Sequence, residues 1–427
     1  MDEHRELPQE ILDKVLDNIL STSSFKNCAL ASRSLLFRSQ LHLFSQITID
    51  HLDRCQQLFV MLTENHRLSA YIRKLTLSFR TYWWLSDPDC LAMQANIPPI
   101  IDMLASLRSF VFILGLHLEW QDLNQQVSDA LFQLFARSSL LSIHLTDICC
   151  IPATFFNVPG TIDHLTLQNT TFEATSDFNP NLPLTLSFKC LEMIPGVGTL
   201  RDPREVLMSI ATRPFSCFSL ITDFRISPSE SNVAIVLAVL KAATRSLTTI
   251  QVNHQYRKDL EVIIPDMRVS QFNLADLPNL RSICLVISVV YVSFNDVQDI
   301  IPSLCNDLLD FLITNADAVR HIENLTIVLK LVCSPMSSVD YSDILVLLSE
   351  IGLWRKLDET ISSIHTSGRL RVNLVLSFYI YMLQELVGMR TMWQDMMRPQ
   401  FPILEERGAL TLDAESLSSG FPEEEYD

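Results

Sequence analysis

The fold is decided by two short segments, Leu140-Leu-Ser-Ile143-His-Leu145 and Ile162-Asp-His-Leu165-Thr-Leu167. Each follows the order apolar-x-x-apolar-x-apolar, which is typical of a short strand that buries alternate side chains on one side. Such a strand is not stable alone, because its buried side needs neighbouring elements to cover it. The two copies therefore predict adjacent strands of a repeated structural element.

The same pattern recurs along the chain. Eight copies begin at Ile72, Leu107, Leu140, Ile162, Ile221, Leu247, Leu280 and Ile322. The first four starts are 35, 33 and 22 residues apart, and the last four are 26, 33 and 42 residues apart. A regular leucine-rich repeat has a constant period of about 20–29 residues and a conserved Asn or Cys in its turn. The variable spacing, without a ladder of Asn residues, predicts an irregular leucine-rich-repeat-like solenoid.

Helical segments separate the predicted strands, because their apolar residues recur at the spacing of an amphipathic helix. These segments are Cys90–Leu107, Asp122–Ala136, Pro203–Ala211, Asn232–Ala243, Val297–Ile313 and Tyr341–Ile364. Strands that alternate with helices over short links are parallel, with the helices packed outside them. We therefore predict an α/β repeat fold (α+β overall) with parallel strands over residues 51–398.

The composition restricts the partners of the chain. Hydrophobic residues make up 48% of the 427 positions, so the chain can bury a large core. The formal net charge is −17, which disfavours nucleic acid and anionic membrane surfaces as partners. Eight acidic residues and one Arg lie between residues 405 and 427. With the Ser and Pro residues around them, they predict an acidic disordered tail over residues 399–427.

Neither the N-terminus nor the apolar stretches indicate export or a membrane anchor. Met1–Glu6 is polar and acidic, without the apolar run of a signal peptide. The longest apolar stretches are Ile283–Val292 and Val372–Met389, and Gln384 and Glu385 interrupt the second. Both fall short of the roughly 20 uninterrupted apolar residues that span a bilayer. The ten scattered cysteines are therefore expected to be reduced, and the chain to be cytoplasmic, nuclear or both.

No motif in the sequence indicates catalysis. The sequence lacks the phosphate-binding patterns G-x-x-x-x-G-K-[ST] and G-x-G-x-x-G, the zinc pattern H-E-x-x-H and the nucleophile pattern G-x-S-x-G. Its ten histidines are dispersed and show no metal-ligand spacing. We therefore predict no cofactor, no metal and no enzymatic activity. An active site assembled from distant Cys, His and Asp residues stays open as an alternative.

The first 45 residues have a different pattern from the rest of the chain. Leu7-Pro8 places a proline at a helix start, where its missing N–H costs nothing. Apolar residues then recur on one broad helix face, at Ile11, Leu12, Val15, Leu16, Ile19 and Leu20. Ser21–Ser24 ends this pattern and offers N-caps for a second helix. Residues 7 to about 45 are therefore predicted to be a compact helical segment.

Both halves of this helical segment match one family pattern. Leu7-Pro8-Gln-Glu10-Ile11-Leu12 resembles the opening of an F-box, which begins Leu-Pro-x-Glu and continues with paired apolar residues. Cys28-Ala-Leu30-Ala-Ser-Arg33-Ser34-Leu35-Leu36-Phe37-Arg38-Ser39, followed by His42-Leu43-Phe44, is similar to the second half as it occurs in fungal F-box proteins. Those proteins commonly carry Trp where this chain has Leu35, and often Pro where it has Phe37. The resemblance covers residues 5–50, about one-eighth of the chain.

The resemblance implies a binding role. An F-box docks an apolar face in a groove of a small adaptor protein that connects it to a cullin. The chain is therefore expected to be a non-enzymatic substrate adaptor of a cullin–RING (SCF-type) ubiquitin ligase. The residues expected to contact the adaptor are Leu7, Pro8, Ile11, Leu12, Val15, Leu16, Ile19 and Leu35. Because Leu35 replaces an aromatic anchor, the expected docking is less tight.

A second interpretation of residues 1–50 stays open. The chain is then a stand-alone repeat scaffold for protein–protein interaction, and its F-box-like segment is vestigial or packs inward. In both cases the repeat array offers a long surface that can hold another protein. The strand positions between the buried residues face this surface. The candidate contacts for an unknown protein substrate are Lys74, Thr76, His144, His164, Arg225, Gln251 and Asn324.

Overall fold

The structure is a computed structural model of the chain. It describes residues 8–19, 21–81, 87–115, 118–174, 184–194, 204–213, 216–227, 232–257, 272–292, 306–333, 341–365, 369–378 and 383–416. The chain divides into two compact units. The first comprises Met1–Phe188 and Gly196–Val206, and the second comprises Lys189–Pro195 and Leu207–Asp427. Each unit alternates helices with parallel strands.

The first unit begins with three helices and continues with strands and helices in turn. Its helices are α1 (Gln9–Asp17), α2 (Thr22–Ala31), α3 (Arg33–Phe44), α4 (Leu52–Glu64), α5 (Pro88–Met103) and α6 (Gln125–Phe135). Its strands are β1 (Gln46–Ile49), β2 (Lys74–Ser78), β3 (Ser109–Ile113), β4 (Ser142–Pro152) and β5 (Gly160–Glu173). Short 3-10 turns lie at His66–Ala70, Trp120–Asp122 and Ala153–Asn157. The division between the units falls within β6 (Leu186–Ile194) and α7 (Arg204–Ala211).

Strands β1 to β5 pair in chain order, and every pair is parallel. The register places one apolar residue of each strand from β2 to β5 in a single row, formed by Leu75, Phe110, Ile143 and Leu165. None of the four is more than 1% exposed. Parallel neighbours need a crossover connection, and α4, α5 and α6 provide it between β1 and β4. The buried row therefore fixes both the register and the side on which the helices lie.

The second unit repeats this arrangement. After β6 and α7 it contains β7 (Asp223–Ile226), α8 (Val233–Ala242), β8 (Thr249–Arg257), β9 (Ser282–Val292), α9 (306–314), α10 (Ala316–Val319) and β10 (Asn324–Cys333). It ends with α11 (Tyr341–Glu350), α12 (Leu353–Ile364), β11 (Arg371–Phe378), α13 (Leu383–Met397), α14 (Pro402–Glu406) and β12 (Leu410–Ser416). Further 3-10 turns lie at Cys217–Leu220 and Arg398–Gln400.

The strands from β6 to β12 also pair in chain order and in parallel. Their buried row is Leu191, Phe224, Ile250, Ile283, Leu325 and Val372. All six side chains are at most 1% exposed. The eight predicted strands are thus confirmed as β2, β3, β4, β5, β7, β8, β9 and β10, and the α/β alternation with parallel pairing is confirmed with them.

The predicted disordered tail is wrong over residues 399–416, which form α14 and β12. Apolar residues among the acidic ones order this segment, and Leu404 is only 2% exposed. The buried Asp358 carboxylate accepts hydrogen bonds from the N–H groups of Ile403 and Leu404, at 2.9 and 3.0 Å, and so caps α14. Residues 417–427 of the predicted tail lie outside the described residues.

The predicted domain boundaries at residues 50 and 398 are not boundaries of the compact units. Helices α1 to α3 belong to the first unit together with β1 to β5, and α14 and β12 belong to the second. The end of α3 is tied to the sheet, because the Ser45 carbonyl accepts hydrogen bonds from the N–H groups of Arg73 and Lys74, each at 2.9 Å. The helical segment is therefore continuous with the repeats that follow it.

Candidate docking surface

Helices α1, α2 and α3 enclose a very small core. Their fully buried residues, among those described, are Leu16, Phe25 and Ser39. The Phe25 ring stacks on the ring of His42, with centroids 4.7 Å apart, and joins α2 to α3. Because so few side chains are buried, most apolar residues of these helices remain at or near the surface.

A cluster of charged residues joins α1 to α3. The Arg38 guanidinium donates two hydrogen bonds to the Asp17 carboxylate, at 2.7 and 2.6 Å, and His42 Nε2 lies 2.8 Å from the same carboxylate. The hydrogen bonds from Arg38 and His42 lower the pKa of Asp17 from 3.8 to about 2. Farther along, Gln9 Nε2 donates to the carbonyl of Ser34 at 2.9 Å. These bonds fix one side of α1 against α3 and leave the other side facing outward.

The outward side of α1 is apolar and exposed. Ile11 is 45% exposed and Val15 is 57% exposed. Their spacing of four residues places them next to each other on the helix surface. The helix begins where the carbonyl of Pro8 accepts hydrogen bonds from the N–H groups of Ile11 and Leu12, at 3.0 and 3.3 Å. We call the surface of Pro8, Ile11 and Val15 the outer face of α1. Apolar groups that stay in contact with water are candidates for burial by a partner.

The predicted adaptor contacts differ in how exposed they are. Those that are exposed or half-buried are Pro8, Ile11, Val15, Leu12, Ile19 and Leu35, the first three being the exposed ones. The prediction for Leu16 is wrong, because this side chain is 1% exposed and supports α1 from inside. Leu7 lies outside the described residues.

Three exposed apolar residues of α2 and α3 were absent from the predicted contacts. Leu30 is 87% exposed, Phe37 is 59% exposed and Leu36 is 37% exposed. The Phe37 ring meets the ring of Tyr71 edge to face, with centroids 5.7 Å apart. Leu30 follows the buried Phe25 by five positions, about 140° around the helix, and this offset is the signal in the sequence that places it outside. Of the fourteen large apolar side chains exposed in the described ranges, five lie on these three helices.

The predicted substrate contacts of the first unit lie in rows on the sheet face away from the buried apolar row. Lys74 and His164 share one register row, and Thr76 and His144 share the next. His164 is exposed and the other three are half-buried. The ring of His144 lies 3.3 Å from Gln168 Oε1. The structure thus brings these four residues onto one continuous surface.

The predicted contacts of the second unit are less closely grouped. Arg225 and Gln251 are register neighbours on β7 and β8, whereas Asn324 lies in the adjacent row on β10. Arg225 is 3.2 Å from the carboxylate of Asp223, so its charge is partly balanced within the sheet. The seven predicted residues therefore divide into one group of four and one group of three.

The described residues contain no cluster of His, Cys, Asp or Glu able to hold a metal ion. Burial raises the pKa of five thiols, to about 12 for Cys55, Cys190 and Cys217 and to about 11 for Cys90 and Cys284. The thiolate is the nucleophilic form of cysteine. These five thiols are therefore protonated at neutral pH and suited to packing.

Comparison with known proteins adds no family to this picture. The sequence matches no protein-family model, and a search of curated proteins gives no match. Within the described ranges, every helix is too short or too polar to cross a membrane. The features of the chain that bear on its function are thus the exposed apolar side chains of the N-terminal helices and the sequence that forms these helices.

Proposed function

We propose that this chain is a substrate-recognition subunit of an SCF-type cullin–RING ubiquitin ligase. Its N-terminal helices dock on the small F-box-binding adaptor, which links the chain to a cullin in the cytoplasm or nucleus. Its parallel strands form an irregular leucine-rich-repeat-like solenoid that holds a protein substrate. The observation that carries this proposal is the exposed pair Ile11 and Val15 on α1, in a stretch of sequence that opens with the F-box-like Leu7-Pro8-Gln-Glu10.

The exposure of α1 favours docking over an inward-packed segment. A helix that closed on the chain's own repeats would bury Ile11 and Val15, yet both are about half exposed. The ion pair between Asp17 and Arg38, at 2.6 Å, holds the opposite side of α1 against α3. The outer face of α1 is thus oriented by the chain and left for another protein to cover.

The expected strength of docking follows from the exposed area. Full burial of a Val or Ile side chain contributes roughly 1.5–3 kcal/mol relative to full exposure. Because Ile11 and Val15 are each about half exposed, the pair contributes about 1.5–3 kcal/mol in total, or roughly 10- to 100-fold in affinity. Leu35 adds less contact than the Trp that fungal F-box proteins commonly carry at this position. We therefore propose a docking contact of moderate strength in which α1 is the main anchor.

Co-purification tests this proposal. The full chain is tagged and co-expressed with the F-box-binding adaptor and the cullin, alongside an Ile11→Glu/Val15→Glu variant. We expect the wild-type chain to retain both partners and the variant to lose them, because two carboxylates in an apolar groove are costly to desolvate. The matched control is Val60→Glu, since Val60 on α4 is 49% exposed in the same compact unit.

The outcomes separate the two interpretations of the N-terminal helices. Retention by the wild-type chain and by Val60→Glu, with loss in the double variant, supports docking through α1. A wild-type chain that retains neither partner, under conditions in which other F-box proteins do, contradicts the proposal and favours the stand-alone scaffold. Equal loss in the Val60→Glu control also counts against it, because the effect is then not specific to α1.

A further inference from the structure

Two arginines lie side by side in the first unit, each directly before the start of a strand. The carbonyl of Arg73 accepts hydrogen bonds from the N–H groups of Arg108 and Ser109, at 2.8 and 2.9 Å. The carbonyl of Arg108 in turn accepts from Leu141 and Ser142, at 2.7 and 3.0 Å. Arg73 and Arg108 are therefore direct neighbours across the strands. Lys74 follows Arg73 at the first position of β2, and we call these three cations the cationic edge.

No carboxylate among the described residues neutralises the cationic edge. Arg73 and Arg108 are exposed, and Lys74 is half-buried. In the part of the chain that the structure describes, none of the three has a carboxylate within ion-pair distance. The guanidinium of Arg73 instead donates to the carbonyl of Ser106 at 3.2 Å. Like charges on neighbouring strands repel each other, so this arrangement costs stability that an anionic ligand would restore.

In the second unit, the residues directly before two neighbouring strands carry opposite charges. Arg281 precedes β9 as Arg73 precedes β2, and its carbonyl accepts the N–H of Glu323 at 2.8 Å. The Arg281 guanidinium lies 3.5 Å from the Glu323 carboxylate. One edge thus pairs opposite charges, whereas the other places two cations side by side. The two edges differ in the charges of their side chains, because the backbone hydrogen bonds between the neighbouring strands are the same in both.

An exposed leucine and an exposed imidazole lie beside the cationic edge. Leu141, next to Arg108 in the ladder, is 39% exposed. His164 is exposed and in register with Ser142. The first acidic residue along the ladder is Asp163, whose N–H bonds to the carbonyl of Leu141 at 2.8 Å. A ligand that covers this surface therefore meets cations first, then a leucine.

We propose that the cationic edge binds a carboxylate-rich segment of a partner protein. In an extended acidic segment every second carboxylate points to the same side, about 6.6 Å apart, and flexible Arg and Glu side chains bridge the difference from strands about 4.8 Å apart. An apolar side chain in the segment covers Leu141. Nucleic acid fits less well, because affinity for it comes largely from many neutralised phosphates and the chain as a whole carries a net charge of −17. This inference does not depend on docking through α1.

Fluorescence polarisation with the full chain tests the proposal. The probe is a short fluorescein-labelled peptide of Glu and Asp residues around a central Leu, and its control replaces the acids with Gln and Asn. We expect saturable binding of the acidic probe alone, weakened as salt is raised. In an Arg73→Glu/Arg108→Glu variant the affinity should fall at least about tenfold, because two attractive contacts become repulsive.

Two variants act as controls. Arg281→Ala removes the arginine at the equivalent position of the second unit and should leave the affinity for the probe unchanged. Ile11→Glu disrupts the outer face of α1 and should also leave it unchanged, so failure of this proposal is distinguishable from failure of the adaptor role. If the charge reversal affects folding, as judged by circular dichroism, the neutral Arg73→Gln/Arg108→Gln variant replaces it, with a smaller loss expected.

Four results obtained without a phosphorylated peptide would overturn the proposal. They are absence of saturable binding, equal binding of the Gln and Asn peptide, equal weakening in Arg281→Ala, and tighter binding of a labelled single-stranded oligonucleotide than of the acidic peptide. A peptide with a single phosphoserine in place of its carboxylates distinguishes a phosphate site. Binding of that peptide alone would also contradict a carboxylate-rich partner.

Discussion

Ile11 on α1 and Ile143 on β4 carry the same side chain in opposite environments. Ile11 is 45% exposed, whereas Ile143 is fully buried between Phe110 and Leu165 in the apolar row of the first unit. The strands and their covering helices use apolar residues to hold themselves together. The N-terminal helices keep a large share of theirs at the surface, uncovered by the described part of the chain.

A comparison of two helices explains why periodicity alone does not reveal this difference. Both α1 and α6 are amphipathic, with apolar residues on one broad face. On α6 that face is covered, and Val127, Leu131 and Leu134 are at most 1% exposed. On α1 only Leu16 is buried. An amphipathic pattern therefore does not show by itself whether its apolar face is covered: the chain covers that of α6, whereas Ile11 and Val15 of α1 are exposed.

The largest expected loss of stability comes from a substitution in the buried apolar row of the first unit. Phe110→Ala should lower the free energy of unfolding by about 3–5 kcal/mol, because it leaves a cavity in a packed core. The Phe110 ring lies 6.2 Å from that of Phe112 and 6.1 Å from that of Phe135, so both lose a neighbour. Urea denaturation followed by circular dichroism measures the change. A loss below about 1 kcal/mol would mean that the row is not tightly packed, and would weaken the contrast with α1.

The next effect tests whether the C-terminal segment belongs to the body of the second unit. Asp358→Ala removes the cap of α14 and leaves the N–H groups of Ile403 and Leu404 without their acceptor. We expect a loss of about 1–2 kcal/mol and faster proteolysis within α14 and β12. Asp358→Asn, which keeps one acceptor oxygen, should lose less. Unchanged stability and protease resistance would show that α14 is held in place without this cap.

A smaller effect is expected at the junction of α1 and α3. Asp17→Asn removes the carboxylate that Arg38 and His42 bind, so α1 should be less firmly held. Because the folded pKa of Asp17 is lowered from 3.8 to about 2, its contribution is complete above pH 3.8 and is lost as the pH falls through about 2.

Hydrogen exchange of the α1 amides, followed by NMR, measures this effect. The wild-type chain should protect these amides better than Asp17→Asn at neutral pH, and the difference should disappear near pH 2. Lys14→Gln is a matched control, since Lys14 is an exposed residue of the same helix. A difference that persists at the lowest pH would exclude the carboxylate as its cause.

The apolar pattern located eight of the twelve described strands, but not β1, β6, β11 and β12 or every helix between them. The apolar-x-x-apolar-x-apolar pattern gave eight strands because the buried row forces that spacing on each one. The segment Tyr341–Ile364 has one continuous helical pattern, yet it forms two helices that separate at Ile351 and Gly352. Beyond residue 398, the high density of acidic residues predicted disorder, although Leu404 and Leu412 in that segment are buried.

The candidate surfaces were predictable only in part, for a related reason. The Leu-Pro-x-Glu opening led us to propose α1 as a docking helix, but which side faces outward depends on the bonds from Arg38 to Asp17. Arg73 and Arg108 are 35 residues apart in the sequence, and their adjacency appears only when β2 and β3 align in register. Charge neighbours across parallel strands are set by pairing, which composition and local pattern do not contain.

Calorimetric titration of the F-box-binding adaptor into the full chain tests most directly whether the outer face of α1 is kept for a partner. The comparison is between the wild-type chain and an Ile11→Ala/Val15→Ala variant, with urea denaturation to check folding. We predict that the affinity falls roughly 10- to 100-fold, while the free energy of unfolding changes by less than about 0.5 kcal/mol. An unchanged affinity, or a loss of stability comparable to that of a buried residue, would contradict the account.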